Sequence, residues 1–279
     1  MSRFVDYPAH NRMGATGVAI TVSFLLIAAL APAIATHDPI APAPDERFEP
    51  PSMAHLFGTD KIGRDIFSRV VYSARVDFII AITSVGISIL IGVPLGAIVG
   101  YRSGRFDTIL MRLLDALQAF PAFVLAMAVV AALGKGIWLI VAVIAFINSP
   151  AYLRLVRAEM KKQKAMPHAE AARAVGNPAH RIIFRHLLPN CLGPVFAQAP
   201  LNAGWAILLA AGLSFVGLGV PLPTPEWGSM ISEGAESVVT GEWWIAFFPG
   251  LAAMSAILGF NLLAEGLRDL MDPRGFSTG

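Results

Sequence analysis

The segment richest in usable chemistry is Glu170-Ala171-Ala172, followed by Gly176 and then Asn177-Pro178. Gly176 fits the position after a helix end, Asn177 is a candidate cap, and Pro178 suits a first helical position. The pattern predicts a rigid elbow of two short helices, Pro167 to Val175 and Ala179 to Leu188, with a break at Pro189.

Other reactive residue types do not assemble along the chain. The histidines at 10, 37, 55, 168, 180 and 186 include no i, i+4 pair, so no metal site is read. Cys191 is the single cysteine and sits in an apolar stretch, where a small buried residue is expected. Gly134-Lys135 lacks the upstream glycine of a phosphate-binding loop. No activated Ser/His/Asp or Cys/His arrangement is evident. The expectation is a chain with no catalytic site and no directly bound cofactor.

The elements that must position the elbow follow from where charge is missing. Six stretches, 13–37, 78–101, 116–134, 136–153, 186–225 and 243–264, contain no Asp, Glu, Lys or Arg and hold 148 of the 279 residues. The chain is 56% hydrophobic and 14% charged, where soluble chains are about a quarter charged. A net charge of +2 argues against nucleic acid as a partner. The runs are too long and continuous for barrel strands. They predict an all-α, polytopic membrane protein of six transmembrane helices at 14–36, 77–101, 109–133, 136–157, 196–220 and 244–266. Leu188-Pro189-Asn190 and Gly193-Pro194 are read as a turn that separates the last inner loop from the fifth span.

With both termini inside, inner segments hold 15 of the 21 basic residues, among them Arg3, Lys161, Lys162, Lys164 and Arg274. That bias orients the chain with N- and C-termini cytoplasmic. Ala33-Ile34-Ala35 resembles a cleavage site, but its uncharged run of 25 residues exceeds a signal core of about 7–15. A retained first span is therefore expected.

Small residues at four-residue spacing, Gly92, Gly96 and Gly100, predict close helix packing. Pro94 and Pro121 predict kinks. Asp77, Asp115, Lys135 and Glu265 lie at predicted span ends, which leaves the midplane without a titrating group. Energy is then expected to enter from outside the helices. The outer segment 37–76 is proline-rich before Thr59 or Asp60, candidate caps for a helix whose apolar spacing begins at Ile66. Asp60, Arg64 and Asp65, with Glu226 and Trp227 of the acidic outer loop 221–243, form a candidate binding-protein or outer-gate face. Trp227, Trp243 and Trp244 are most simply an interface belt.

Glu170-Ala171-Ala172 with Gly176, Ile182-Ile183 and Leu188-Pro189 resembles the EAA loop of ABC-importer permease subunits. Phe57-Gly58-Thr59-Asp60 with Gly63-Arg64-Asp65 is similar to the outer segment of the dipeptide/oligopeptide/nickel class. So are Leu213-Ser214-Phe215-Val216-Gly217-Leu218-Gly219 with Pro223-Thr224-Pro225-Glu226-Trp227-Gly228, and Phe260-Asn261-Leu262-Leu263 with Asp272-Pro273-Arg274. The order of these motifs and the His37-Asp38-Pro39 start resemble the second, "C"-type permease of a heterodimeric pair.

The resemblance implies a type I ABC-importer permease-like fold in a bacterial plasma (inner) membrane. It implies a second permease subunit, one or two cytoplasmic ABC ATPase subunits that hydrolyse ATP with Mg, and an extracytoplasmic solute-binding protein. Glu170, Ala171, Ala172 and Gly176, continued by Asn177 and Pro178, would form the ATPase-coupling elbow, its two alanines letting the helix sit deep in an ATPase groove and its glutamate accepting charge-assisted hydrogen bonds. The chain divides into 1–73 (first span and outer segment), 74–268 (permease core with coupling loop 158–190) and a tail, 269–279. Peptides, nickel chelates, opines and glutathione are the solutes that this class implies. The alternative, a stand-alone secondary transporter or channel, would transport without ATPase subunits.

Overall fold

A computed structural model describes residues 12–271. Arg3, Arg274, the Asp272-Pro273-Arg274 motif and most of the tail 269–279 lie outside the described residues. The charge-free runs fold as helices because a helix satisfies its backbone polar groups within its own segment, which hydrocarbon requires. In chain order these are α1 (Arg12–Ile34), α2 (Ile66–Arg102), α3 (Arg105–Gln118), α4 (Ala122–Leu133), α5 (Ile137–Lys164), α6 (Pro167–Ala174), α7 (Ala179–Phe215), α8 (Trp227–Ala235) and α9 (Trp244–Met271). Helices α1, α2, α5, α7 and α9 are each long and apolar enough to cross a membrane, and α3 with α4 makes a sixth candidate. Among the described residues, extended pairing is limited to one bridge between Thr59 and Asp65. Leu90, Trp138, Leu208 and Met254 point outward as large exposed apolar side chains, the surface that lipid covers in a polytopic protein.

Three expectations need correction. The span predicted at 109–133 is bent by 83° between α3 and α4. Pro121 fixes its own φ and drives Phe120 out of helical geometry, so the chain turns there more sharply than a kink. Twelve residues of α4 rise about 18 Å, short of a bilayer's ~30 Å. Helix α3 is amphipathic and fastened by charge. Asp115 accepts from Arg154 at 2.7 Å, and Asp107 accepts from Arg157 at 2.8 Å and from Lys161 at 2.9 Å.

The predicted break at Pro189 and Pro194 does not occur. Helix α7 runs on from Ala179 to Phe215, with a π-helical turn over Ile182–Leu187. The wider turn shifts the hydrogen-bond register just before Pro189, so the proline's missing N–H falls at the first turn of the segment Leu188–Phe215. Helix α2 begins at Ile66, and its cap is Asp65, whose carboxylate accepts from the Ser68 N–H at 2.7 Å; neither Thr59 nor Asp60 caps it. Helix α2 therefore runs unbroken through position 74 and extends into the outer segment.

The centre of the molecule is the contact between α2 and α5. A Cβ built on Gly92, Gly96 or Gly100 would lie 2.6, 2.5 or 2.7 Å from the backbone oxygens of Ser149, Leu153 and Arg157 respectively. Glycine alone allows the two backbones to come that close. The Ser88 hydroxyl continues the seam, donating to the Ala145 carbonyl at 3.0 Å. Helix α1 leans on α9 in a similar manner, with Gly17 against the Leu263 backbone.

Gly96→Val places a branched side chain against the Leu153 backbone, and a loss of about 3 kcal/mol or more is expected from overpacking. Gly86→Ala is the control, because its Cβ meets nothing within 4 Å. Thermal unfolding of both variants in detergent checks the pair: Gly96→Val should melt well below the parent, and Gly86→Ala at or slightly above it.

Candidate functional site

Helix α6 starts at Pro167 and ends at Ala174. Gly176 then adopts φ +80° and donates to the Arg173 carbonyl at 2.9 Å. A left-handed residue here is what turns the chain back on itself, and glycine adopts it without Cβ strain. Asn177 does not cap the following helix. Its side-chain amide reaches backwards to the Ala172 carbonyl at 3.1 Å and closes α6. Pro178 is the residue preceding Ala179 and offers no side-chain cap.

The faces of α6 are divided. Ala169 and Ala172 are buried in the same apolar cluster as Met160, Ile182, Ile183 and Leu187. Glu170, Ala171 and Gly176 are exposed, and Val175 is 82% exposed. Of the two alanines, Ala171 faces outward and Ala172 faces the chain's own core. Ala169 and Ala172 are three apart and share the face that points into the core. Upstream, Lys164 ends α5 by donating to the Tyr101 carbonyl at 2.6 Å, which ties the start of the elbow to the C-terminal end of α2.

The outer candidates lie on the opposite end of α2 and are buried, not a face. Asp60 is 2%, Arg64 4%, Asp65 2%, and Glu226 and Trp227 are 0% exposed. Arg64 donates to Asp60 at 2.6 Å and to Glu233 of α8 at 2.8 Å, and Arg69 also donates to Glu233 at 3.3 Å. Two guanidiniums and two carboxylates thus form a neutral knot between the outer segment, α2 and α8. Asp60 also accepts from the Ile62 and Arg64 backbone N–H groups at 2.9 and 3.0 Å, which shapes the turn.

Glu226 caps α8, accepting from Gly228 and Ser229 at 2.8 Å each. Burial pushes its carboxyl above the usual carboxylate range, while bonds from Ser214, Gly228 and Ser229 oppose that shift. Trp227 is not part of an interface belt. Its indole N–H donates to the Val70 carbonyl at 3.1 Å, and its ring meets Phe24 edge-on at 5.7 Å. Its backbone N–H donates to Asp77 at 3.2 Å. Asp77 lies at the outer end of its predicted span and is fully buried beside the α8 cap. Sequence reasoning missed Arg69, Asp77 and Glu233 as parts of this arrangement. Their partners are 150 to 169 residues away, so spacing carried no signal.

Residues 92–276 match the family model described as binding-protein-dependent transport system inner membrane component. The chain belongs to this family. It is 40% identical over 264 residues to a dipeptide transport system permease protein of Alkalihalophilus pseudofirmus, covering 95% of this chain and 86% of the relative. It is 40% identical over 259 residues to a probable D,D-dipeptide transport system permease protein of Escherichia coli, covering 93% and 87%. A glutathione transport system permease protein of Pectobacterium atrosepticum is 42% identical over 230 residues, covering 82% and 76%. The chain is a multi-pass permease subunit of an ABC importer. In this permease the matched segment begins at Gly92 and contains both the glycine seam and the elbow.

Glu233→Gln removes one of two carboxylates facing Arg64 and Arg69. Leaving a buried positive charge uncompensated is expected to cost about 3 kcal/mol or more. Glu236→Gln, at an exposed position, is expected to change stability by under about 0.5 kcal/mol. Comparing the unfolding midpoints of the two variants with the parent checks the knot.

Proposed function

We propose that this permease forms half of a heterodimeric pore with a second permease subunit and takes its energy from cytoplasmic ATPase subunits through α6. The substrates proposed are peptides or related small solutes, delivered by an extracytoplasmic binding protein. Two groups of relatives with dipeptide and glutathione in their names support that class. ATP and Mg would be handled by the partner ATPases, with no catalytic residue in this chain. Both termini are proposed to be cytoplasmic, on the strength of the basic excess in the inner segments.

The observation that carries the coupling role is the two-sided character of α6. Its inner side is locked by Ala169 and Ala172, and its outer side presents Glu170, Ala171 and Val175 to a partner. A short helix held this way moves with whatever presses on it. The exposed Glu170 carboxylate offers charge-assisted bonds to a cationic or N–H-bearing groove. On the outer side, the buried Asp60, Arg64, Asp65, Glu226 and Trp227 act from beneath. They hold the outer segment and α8 in shape, while exposed residues such as Met53 and Val239 form the surface a delivery protein would meet.

Glu170→Ala and Gly176→Pro test this. Proline cannot adopt φ +80°, so Gly176→Pro should misplace the elbow. Both variants are expected to insert at normal levels and to lose peptide uptake by at least about tenfold, the equivalent of one 1.4 kcal/mol docking contact. ATPase co-purification should fall in parallel. Full uptake with normal ATPase association in both variants would remove the coupling assignment. Uptake by the chain alone in proteoliposomes would instead establish a stand-alone carrier.

A further inference from the structure

We propose that the outer segment carries a binding site for one first-row divalent transition ion of the zinc type, held by His37, His55 and Asp65. These residues lie 18 and 10 apart in sequence, in the stretch linking α1 to α2. Folding brings one ligand atom from each within 4.8 Å of the others. His55 Nδ1 is 2.9 Å and His37 Nδ1 3.8 Å from the same oxygen, Asp65 Oδ1. The two imidazole rings sit 4.7 Å apart, centroid to centroid. Ligands around a tetrahedral ion with bonds of about 2.0–2.1 Å are separated by about 3.3 Å. Side-chain adjustments of up to about 1.5 Å, from 4.8 Å to about 3.3 Å, would close the site. Two imidazoles and a carboxylate with one position open is a donor set that suits zinc-like ions and not calcium or magnesium.

The surroundings argue for an ion more strongly than the three ligands do. His55 is 4% exposed and has a carboxylate at each ring nitrogen: Asp65 at Nδ1, and Glu46 Oε2 at 3.4 Å from Nε2. A neutral imidazole carries one N–H and can satisfy only one of them. A metal on Nδ1 is one arrangement that serves both carboxylates, because Nε2–H then donates to Glu46, the carboxylate–histidine–metal arrangement that orients metal ligands. The other oxygen of Asp65 is already fixed by the Ser68 N–H, which aims Oδ1 inward. The His37 backbone N–H is fixed by the Ser68 hydroxyl at 3.0 Å. Neither Asp65 nor Glu46 pairs with an arginine or lysine among the described residues, whereas Asp60, Asp107 and Glu233 all do. The His37 side chain is 43% exposed, which leaves an entry path from the outer face.

A bound ion would staple the end of α1, the middle of the outer segment and the cap of α2 to one point. The test uses the full-length chain, purified without a polyhistidine tag, stripped with a chelator and titrated with Co²⁺. One Co²⁺ per chain with a tetrahedral-type visible absorption, displaced by Zn²⁺, is expected. Zn²⁺ should also raise the unfolding temperature. His37→Gln and His55→Gln should abolish the absorption, and Glu46→Gln should weaken binding about 10- to 100-fold. His186→Gln should leave binding unchanged. Since His37 is largely at the surface, its variant should keep the parent's circular dichroism and elution profile. Absence of stoichiometric Co²⁺ binding, or binding that survives His37→Gln in the folded variant, would overturn the site. Peptide uptake is not used in the measurement, so this result and the transport result stand separately.

Discussion

The molecule depends on the line along which α2 and α5 touch. Two long helices in an apolar setting gain little from hydrophobic exclusion, because lipid is as apolar as their side chains. What remains is close van der Waals packing, and that requires backbones to approach. Gly92, Gly96 and Gly100 supply the space on α2, one per turn, against the Ser149 to Arg157 stretch of α5. The two helices become one stiff piece. One end carries the Asp60–Arg64–Arg69–Glu233 knot, and the opposite end carries Lys164 bonded to Tyr101 at the threshold of the elbow.

The polar residues are distributed accordingly. Charge is kept out of the spans, where desolvation is expensive, and concentrated at the two ends, where it fastens elements that cannot pack by apolar contact alone. Short helices illustrate this. Helix α3 is tied by Asp107 and Asp115 to α5, and α8 is tied by Glu226 to its own N–H groups and by Glu233 to Arg64 of the preceding turn and Arg69 of α2. Helix α6 is the exception. It is held by two alanines and a glycine turn, and so keeps its charged face free.

Much of this was readable in the linear chain, and for a definable reason. The six charge-free runs, the glycine triplet and the Pro167–Gly176 elbow are local patterns. A helix repeats every 3.6 residues and membrane thickness sets a length, so period and length alone identify them. Proline was the weak point of that reasoning. Pro121 lies at an 83° turn, while Pro189 follows a π turn and Pro194 sits inside the same continuous helix. A proline's consequence depends on whether neighbouring backbone groups can find other partners, and a local pattern does not contain that information.

Residue types at short spacing were enough for the class of protein, for five of the six expected membrane spans, for the position of the elbow and for the family. Which side chains are buried, and what they meet, follows from the three-dimensional fold. Trp227 left the interface and became a core residue, and Asp65 took the cap from Thr59 and Asp60. Of the two alanines in the elbow, only Ala171 faces outward. His37, His55 and Asp65 met although no spacing rule links them. The reason is physical: a helix period fixes which residues share a face, but only chain return brings a second element against that face.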